Sequence, residues 1–313
     1  MENKLYIYES RSFDPYYNLA LEEYLTKSVG SGVRILFLWQ NESTVVIGKN
    51  QNTGVECNAE AAKREGVHIA RRLSGGGAVF HDHGNLCFSF ISHEKTYDTA
   101  LHCEVIRRAC ASFGIDAALT GRNDILADGR KFSGNAFYSV GKNHCHHGTV
   151  LLATDTNRLQ KYLTTPKSKL TSKGIPSVRS AVVNLRELCP QINRDSFFEA
   201  MKKSAADVFG TNYTEKETPD AALFADRQAF LASDEWIFDE DPPFTDELDV
   251  KTSAARFNIK VNVKNARIES CAVFTDSLDT AAAEKLQKAL VGTPFSEEHV
   301  IKIVQNSECR MQS

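Results

Sequence analysis

The sequence predicts an α+β fold in which helices flank a mixed, mostly antiparallel sheet, followed by a small C-terminal α/β domain. Short apolar runs typical of strands alternate with amphipathic helices along the chain. One run, Leu86–Ile91, is apolar on both faces and is therefore expected at the centre of the sheet. An acidic segment with two prolines, Asp239–Phe244, is the expected linker, so the domains should span residues 1–242 and 246–313.

The first helix has the clearest signals among the N-terminal elements. It follows a strand at Leu5–Tyr8, with Asp14 as the N-cap and Pro15 at the first helical position. Apolar residues then recur on one helical face, namely Tyr17, Ala20, Leu21, Tyr24 and Leu25. Because Glu22 and Glu23 fall outside this pattern, we expect them to point away from the core.

The remaining elements continue the same alternation. The predicted strands are Arg34–Trp39, Thr44–Ile47, a strand pair within Ala78–Ile91, and several strands between Ala117 and Ala153 with turns at Asp128-Gly129 and Gly141. The predicted helices are Asn58–Glu65, Thr99–Phe113 and Asp195–Phe209, each closed by a glycine. After the linker, strands at Phe257–Val263 and ending near Phe274, with helices at Leu278–Leu290 and from Ser296, predict a ββαα unit.

Composition limits the classes of partner. Hydrophobic residues make up 42% and charged residues 25%, the net charge is −3 and the pI is near 6.3. This balance gives no electrostatic reason to expect nucleic acid or an anionic membrane as the partner. No signal-peptide pattern begins the sequence, and the eight cysteines show no C-x-x-C pair. We therefore expect a cytoplasmic protein with reduced thiols, acting on small molecules and proteins.

Three consecutive glycines mark the most unusual stretch, Arg71–Asp82. We call its segment Ser74–Ala78 the Gly loop. Glycines leave backbone N–H groups open to a ligand, and the adjacent Arg71 and Arg72 add positive charge, which together suit a phosphate or carboxylate. The alternative is a tight hairpin turn with a solvated basic flank. The stretch lacks the lysine of a P-loop and leads into a strand, so neither a Walker motif nor a Rossmann fingerprint fits.

A second stretch, Gly121–Ala136, reads as a hairpin with its turn at Asp128-Gly129. It contains Lys131, whose ammonium group could offset charge that develops during acyl adenylation. Taken alone, this lysine is better explained as a surface residue. Its combination with the Gly loop makes it a candidate catalytic residue.

The two stretches together resemble the lipoate–protein ligase A family. The matching motifs are RRLSGGGAVFHDHGN from Arg71, GRNDI from Gly121, KFSGNA from Lys131, HHGT from His146, SKGIPSVRS from Ser172 and VFTDSL from Val273. The resemblance covers nearly the whole chain. It implies a fold shared with biotin ligases and class II synthetases, with a catalytic domain and a small C-terminal domain that moves during the reaction.

The resemblance also implies the reaction and its partners. ATP and Mg²⁺ would activate lipoate, or octanoate, as an acyl adenylate, and the acyl group would pass to a carrier lysine. The carriers would be lipoyl domains of 2-oxoacid dehydrogenase E2 subunits or the glycine-cleavage H protein. A monomer is expected.

Site residues follow from the resemblance position by position. Those implied for ATP and adenylate are Arg72, Gly75, Gly76, Gly77, Ala78, Val79, Phe80, Asn123, Asp124, Lys131, Ser177, Val178 and Arg179. Those implied for lipoate are Arg72, Ser74, Gly77, Lys131, His147 and Thr149. Asp124 is also the expected Mg²⁺ ligand, and Lys131 the expected catalytic residue.

Several alternatives remain open from the sequence. The run His144–His147 suggests zinc, but alternate residues of a strand face opposite sides and cannot converge on one ion. A lipoyl or octanoyl transferase would use a cysteine nucleophile, for which Cys145 and Cys189 are the nearest candidates, or would move acyl groups between carriers. A biotin ligase would carry a Gly-Arg-Gly-Arg-x-Gly loop, which this sequence lacks. A binding protein without activity would leave Lys131 and Arg72 unexplained.

Overall fold

The computed structural model describes residues 4–120, 124–163, 181–238, 244–252, 255–264 and 266–309. Its strands are β1 (Lys4–Glu9), β2 (Val33–Trp39), β3 (Thr44–Ile47), β4 (His68–Arg71), β5 (Val79–His81), β6 (Asn85–His93), β7 (Ala117–Thr120), β8 (Asp124–Ala127), β9 (Arg130–Val140), β10 (Asn143–Leu151), β11 (Tyr213–Lys216), β12 (Asp246–Lys251), β13 (Arg256–Lys264) and β14 (Arg267–Thr275). The expected linker lies mostly outside the described residues, which stop at 238 and resume at 244.

The helices lie between and around these strands. They are α1 (Pro15–Ser28), α2 (Thr53–Glu56), α3 (Ala59–Arg64), α4 (Thr99–Ala111), α5 (Thr156–Tyr162), α6 (Leu185–Leu188), α7 (Arg194–Phe209), α8 (Ala225–Leu231), α9 (Asp234–Phe238), α10 (Ala282–Leu290) and α11 (Glu297–Cys309). Within the described ranges, none of these helices is both long enough and apolar enough to cross a membrane.

The main sheet has eight strands in the order β11-β1-β2-β6-β10-β9-β8-β7. Strand β1 runs parallel to β11 and β2, and the other neighbours in this sheet are antiparallel. The predicted mixed, mostly antiparallel sheet is therefore confirmed. Strand β6 lies near its centre with eight of nine residues buried, as the apolar run Leu86–Ile91 predicts.

The predicted strand pair within Ala78–Ile91 is wrong. Strands β5 and β6 belong to different sheets, because β5 pairs with β3 in a small sheet of order β4-β3-β5. The connection from β4 to β5 therefore joins the two outer strands of this small sheet. This path carries the Gly loop.

Helix α1 begins as predicted but buries more of its surface. The carboxylate of Asp14 accepts hydrogen bonds from the backbone N–H groups of Tyr16 and Tyr17, and Pro15 is the first helical residue. Glu22 is 1% exposed and Glu23 5% exposed, so the expectation that they face solvent is wrong. The helix packs against β6, β9 and β10 on one side and α8 on the other, which leaves no solvent face at these positions.

Turn glycines set several strand and helix ends. The β8–β9 hairpin turns at Asp128 and Gly129 with φ of 51° and 68°, the two positive φ values of a type I′ turn. Gly210 closes α7 in the left-handed region, with φ of 63°. Both turns were predicted from the sequence. The Asp128-Gly129 turn leads into the pairing that brings Lys131 opposite Leu126.

The C-terminal residues form a second compact unit with its own core. It contains an antiparallel sheet β12-β13-β14 covered by α10 and α11, so the predicted ββαα unit lacks one strand, β12. Its buried apolar residues, from Leu248 to Val304, pack on one another. Helix α10 begins at Ala282, four residues later than predicted, because Thr275–Thr280 folds back onto the large unit.

Buried histidines should make the stability depend on pH. Burial lowers the pKa of His102 to about 3, and its Nδ1 lies 3.2 Å from Nδ1 of His146, an arrangement that holds only one proton between the two nitrogens. In the unfolded chain a histidine titrates near 6.5, so stability is full above this pH and is lost as pH falls toward 3. From pH 7 to pH 5 this ring alone should cost about 2 kcal/mol of unfolding free energy.

Urea unfolding at pH 7 and pH 5 measures this dependence. The variant His102→Gln should lose about 2 kcal/mol less than the wild type over that interval. His299→Gln, a change on the surface helix α11, is the matched control and should keep the wild-type slope. An unchanged slope in His102→Gln would contradict the assignment.

Candidate active site

One cavity of about 170 Å³ contains residues from both stretches that the sequence singled out. The Gly loop and β5 contribute Gly76, Gly77, Ala78 and Val79, and strands β9 and β10 contribute Lys131, His147 and Thr149. Gly77 is exposed and Lys131 is partly exposed, whereas the lining residues Leu19, Trp39 and Cys87 are almost fully buried. The cavity is therefore polar and cationic near solvent and apolar inside.

Arg72 holds the Gly loop in shape. Its Nη2 donates to the carbonyl oxygens of Gly75 at 2.7 Å and Gly77 at 2.8 Å, and its Nη1 donates to the carbonyl oxygen of Val46. Burial lowers the pKa of this guanidinium to about 10, and the carboxylate of Glu22 opposes that shift. Arg72 therefore stays charged at neutral pH and satisfies three carbonyl groups around the cavity.

Two residues of the same stretch point elsewhere. Arg71 is 1% exposed and donates to the carbonyl oxygens of Lys49, Gln51 and Ile237, so it ties the β3–α2 connection to α9 and adds no charge to the cavity. Phe80 packs into another core cluster, stacked on Tyr162 at 5.5 Å between ring centroids. Adjacent strand residues face opposite sides, which is why Arg72 and Val79 line the cavity and these two do not.

The C-terminal unit lies directly on the Gly loop. The backbone N–H of Gly76 donates to the carbonyl oxygen of Ser277 at 2.8 Å. A side chain at Gly75 would meet the same oxygen at 2.0 Å, so only glycine permits this approach. Gly75 is therefore covered by protein and does not line the cavity, which corrects the picture of three equivalent ligand-facing glycines.

Lys131 projects from β9 into the cavity and is paired there. Its Nζ lies 2.7 Å from Oδ1 of Asp124, with side-chain exposures of 29% and 27%. Three residues further along the same strand, Gly134 leaves the space that Lys131 occupies, since a Cβ there would lie 3.1 Å from Nζ. The backbone of Lys131 also bonds to Ala181 and Val183, which fixes the strand beneath the side chain.

His147 connects the cavity wall to the interior. Its Nε2 lies 2.6 Å from Oγ of Ser74, and its Nδ1 lies 2.9 and 3.0 Å from the two carboxylate oxygens of Glu22. Ser74 is fully buried, and its hydroxyl bonds to Arg72 and His147. Sequence reasoning missed Glu22 because a carboxylate on a helix is normally solvated.

Other cavity residues also escaped sequence analysis. Asn135 and His81 line the wall, and burial lowers the pKa of His81 to about 3, so its ring is neutral. Trp39 adds the largest apolar surface and donates from its indole nitrogen to Ser89. His81 lies in the stretch Arg71–Asp82, and this position was the one sequence feature that could have identified it as a site residue.

The cysteines proposed for a transferase do not line this cavity. Cys145, within β10, is fully buried, and burial raises the pKa of its thiol well above the usual value. Cys189 is partly buried against a different core cluster. Cys87 does line the wall, but burial likewise raises the pKa of its thiol, which disfavours a thiolate nucleophile.

The run His144–His147 alternates between faces, as expected for a strand. His146 faces His102, whereas Cys145 and His147 face Glu22, so the four residues do not converge. Among the described residues, Glu22, Cys145 and His147 form the one group spaced closely enough to be considered for a metal. Four predicted nucleotide residues, Asn123, Ser177, Val178 and Arg179, lie outside the described ranges.

A larger open cleft of about 570 Å³ lies at the β1–β11 edge of the sheet. Its central cation, Lys202, is paired with Glu9, Glu199 and Glu215 at 2.8–3.2 Å. The three carboxylates outnumber this cation, so the lysine is not available for a phosphate or carboxylate, and neither the Gly loop nor Lys131 lines this cleft. The smaller cavity is therefore the better candidate for an active site.

Comparison with known proteins gives this geometry a context. The sequence signature described as the lipoyl protein ligase A/B catalytic domain matches residues 14–206, and that of the bacterial lipoate protein ligase C-terminus matches residues 241–312. The lipoate-protein ligase A of Blochmanniella pennsylvanica (strain BPEN) is 39% identical, with 93% of this chain and 89% of that protein covered.

Solved structures agree with the sequence match. P. falciparum LipL1 in complex with lipoate superposes with a TM-score of 0.82 at 25% identity, covering 99% of both chains. A lipoate-protein ligase A bound with ATP shares the fold, with a TM-score of 0.65 at 24% identity over 76% of this chain and 99% of that chain. This chain therefore belongs to the lipoyl protein ligase A/B family, with a bacterial lipoate protein ligase C-terminus.

Proposed function

We propose that this chain is a lipoate–protein ligase, which uses ATP to activate lipoate as lipoyl-AMP and then transfers the lipoyl group to a lysine of a carrier domain. The observation that carries the proposal is the shared cavity of the Gly loop and Lys131. It places a cation in the same cavity as the exposed backbone of Gly77 and an apolar wall. Family membership and the lipoate-bound and ATP-bound relatives support the same reaction.

The cavity suggests how the acid lies. An acyl chain fits against the buried apolar wall of Leu19, Val46 and Trp39, and its carboxylate then reaches the more exposed end near Lys131. Thr149 lines the cavity close to this lysine and can donate a hydrogen bond. This orientation suits lipoate and also octanoate, since the wall offers apolar contact to either chain.

Activation needs positioning and charge neutralisation more than a protein nucleophile. The carboxylate oxygen attacks the α-phosphate of ATP, the bond to the β-phosphate oxygen breaks, and pyrophosphate leaves. The Lys131 ammonium offsets the charge on the attacked phosphate, and the Gly loop backbone beside Gly77 and Ala78 accommodates the adenylate. The carrier lysine then attacks the mixed anhydride and releases AMP.

Mg²⁺ would arrive with ATP as part of the substrate. A hard cation held mostly by phosphate oxygens needs only one or two carboxylates from the protein. Asp124 is a partly exposed carboxylate beside Lys131 and fits this requirement. Binding would break the 2.7 Å ion pair between the two residues, which frees the lysine for the acyl phosphate.

The proposal extends to the carrier proteins and to the domain organisation of the chain. The carriers would be lipoyl domains of 2-oxoacid dehydrogenase E2 subunits or the glycine-cleavage H protein. The catalytic domain would span residues 1–242, and residues 246–313 would form a cap over the Gly loop. Asn123 and Ser177–Arg179 would complete the nucleotide site. The cytoplasmic location and the monomeric state stay predictions.

The first test is lipoate-dependent exchange of labelled pyrophosphate into ATP. The wild type should catalyse exchange with free lipoate. Lys131→Met should reduce the exchange rate about 10²- to 10³-fold, because the transition state loses its nearby cation. Lys142→Met, at the far end of β9 where the lysine pairs with Glu94 on the surface, is the matched control. Full activity of Lys131→Met would contradict its role, and acyl transfer between carriers without exchange would favour a transferase.

A second test examines the contact between the cap and the Gly loop. In Gly75→Ala the new methyl group would meet the Ser277 oxygen at 2.0 Å, so the hydrogen bond from Gly76 N–H should be lost. Exchange of the Gly76 amide hydrogen should become at least about tenfold faster, since a protected amide loses its acceptor. Gly77→Ala is the matched control, because a Cβ there meets nothing within 4 Å. Equal exchange in both variants would show that the cap does not depend on Gly75.

A further inference from the structure

A buried chain of hydrogen bonds joins the guanidinium of Arg72 to the carboxylate of Glu22, a residue that does not line the cavity. Arg72 Nε donates to Ser74 Oγ at 3.0 Å, and Ser74 Oγ lies 2.6 Å from His147 Nε2. His147 Nδ1 reaches the carboxylate of Glu22 at 2.9 Å. A second branch runs from Trp39 through Ser89 to the same carboxylate.

The direction of each hydrogen bond follows from the chemistry of its ends. A guanidinium only donates and a carboxylate only accepts, so Arg72 must donate to Ser74, and His147 must carry its proton on Nδ1. The Ser74 hydroxyl then donates to Nε2. All donors in the chain therefore point from Arg72 toward Glu22, and each bond polarises the next.

Glu22, a residue of α1, is the acceptor at the end of this chain of hydrogen bonds. Its carboxylate is 1% exposed and receives hydrogen bonds from His147 and Ser89. A buried carboxylate is costly unless donors satisfy it, so it fixes the orientation of the groups that supply them. The orientation of the His147 ring in the cavity wall is thereby fixed, and so is the Ser74 hydroxyl that accepts from Arg72.

Two other interpretations of the same residues fit less well. Around zinc, donors about 2.0–2.1 Å from the ion lie about 3.3 Å apart, whereas His147 and Glu22 approach to 2.9 Å, the distance of a hydrogen bond. Ser74, His147 and Glu22 also have the connectivity of a hydrolase triad. However, Ser74 is fully buried and its oxygen already accepts from Arg72, so it cannot reach a substrate.

We propose that Glu22 is a positioning residue for acid activation, which acts through His147 and Ser74 on Arg72 and the Gly loop. This inference rests on the proposed ligase function. The inference gives helix α1, which packs against the main sheet, a role in the reaction. Glu22 itself does not line the cavity.

The test replaces Glu22 by Gln, which keeps the shape of the side chain. The amide has no negative charge and keeps only one of the two acceptor oxygens that His147 Nδ1 contacts. The Nδ1–H tautomer is therefore less favoured, so the imidazole proton should shift toward Nε2, which reverses the hydrogen bond to Ser74. The exchange rate kcat should fall about 10- to 100-fold, the usual effect of one charge-assisted hydrogen bond. The tautomer of His147 is read independently from the ¹⁵N shifts of its ring nitrogens.

Glu23→Gln is the matched control. Glu23 is the next residue of the same helix, is also buried, and pairs with Lys27 and Arg227 instead of His147. This variant should lose stability but keep the wild-type His147 tautomer and kcat. If Glu22→Gln is as active as Glu23→Gln, or loses activity with an unchanged tautomer, the proposal is wrong.

Ser74→Ala tests the second link and serves if Glu22→Gln does not fold. It leaves the Glu22–His147 pair intact and removes only the connection to Arg72. Its kcat should fall by a similar factor. The variant with both Glu22→Gln and Ser74→Ala should have a kcat no lower than that of the less active single variant, because both substitutions break the same chain of hydrogen bonds. Wild-type activity in Ser74→Ala would overturn the proposed path. Absence of exchange in the wild type would instead reject the ligase function.

Discussion

The active site depends on one buried cation, the guanidinium of Arg72. It binds the carbonyl oxygens of Gly75 and Gly77, and so gives a glycine-rich segment, which has little conformational preference of its own, a single shape. Because carbonyl oxygens repel phosphate and carboxylate, their hydrogen bonds to the Arg72 guanidinium also offset their negative potential near the cavity. Stability and ligand preference at this loop thus have the same physical origin.

The sheet topology explains why this loop meets Lys131. The loop connects the two outer strands of the small sheet, whereas Lys131 and His147 come from neighbouring strands of the main sheet. Helix α1 packs against the main sheet and against β4, which precedes the loop. A side chain from α1 can therefore bond to β10 and, through it, to the loop, which is the position of Glu22.

Local patterns predicted most elements, and long-range contacts account for the errors. The strand pattern, the capping residues of α1 and the Asp128-Gly129 turn follow from nearest neighbours, so the sequence predicts them. The pairing of β5 with β3 depends on which distant strand lies alongside, and periodicity carries no such information. Glu22 and Arg71 were placed wrongly for a related reason: a charged residue is assumed to be solvated unless its buried partners are known, and these partners lie 18 or more positions away.

The three glycines of the loop answer three different constraints. At Gly75 the restriction is the close approach of Ser277, and at Gly76 it is a φ of 92°, which side chains rarely adopt. At Gly77 the protein itself imposes neither constraint, since a Cβ would meet nothing within 4 Å and φ is not positive. A glycine without a structural reason, exposed at the open end of the cavity beside Lys131, is best explained by a ligand that needs the space. The adenylate of the proposed reaction is such a ligand, so the one glycine that the fold does not require is the one that points most directly to function.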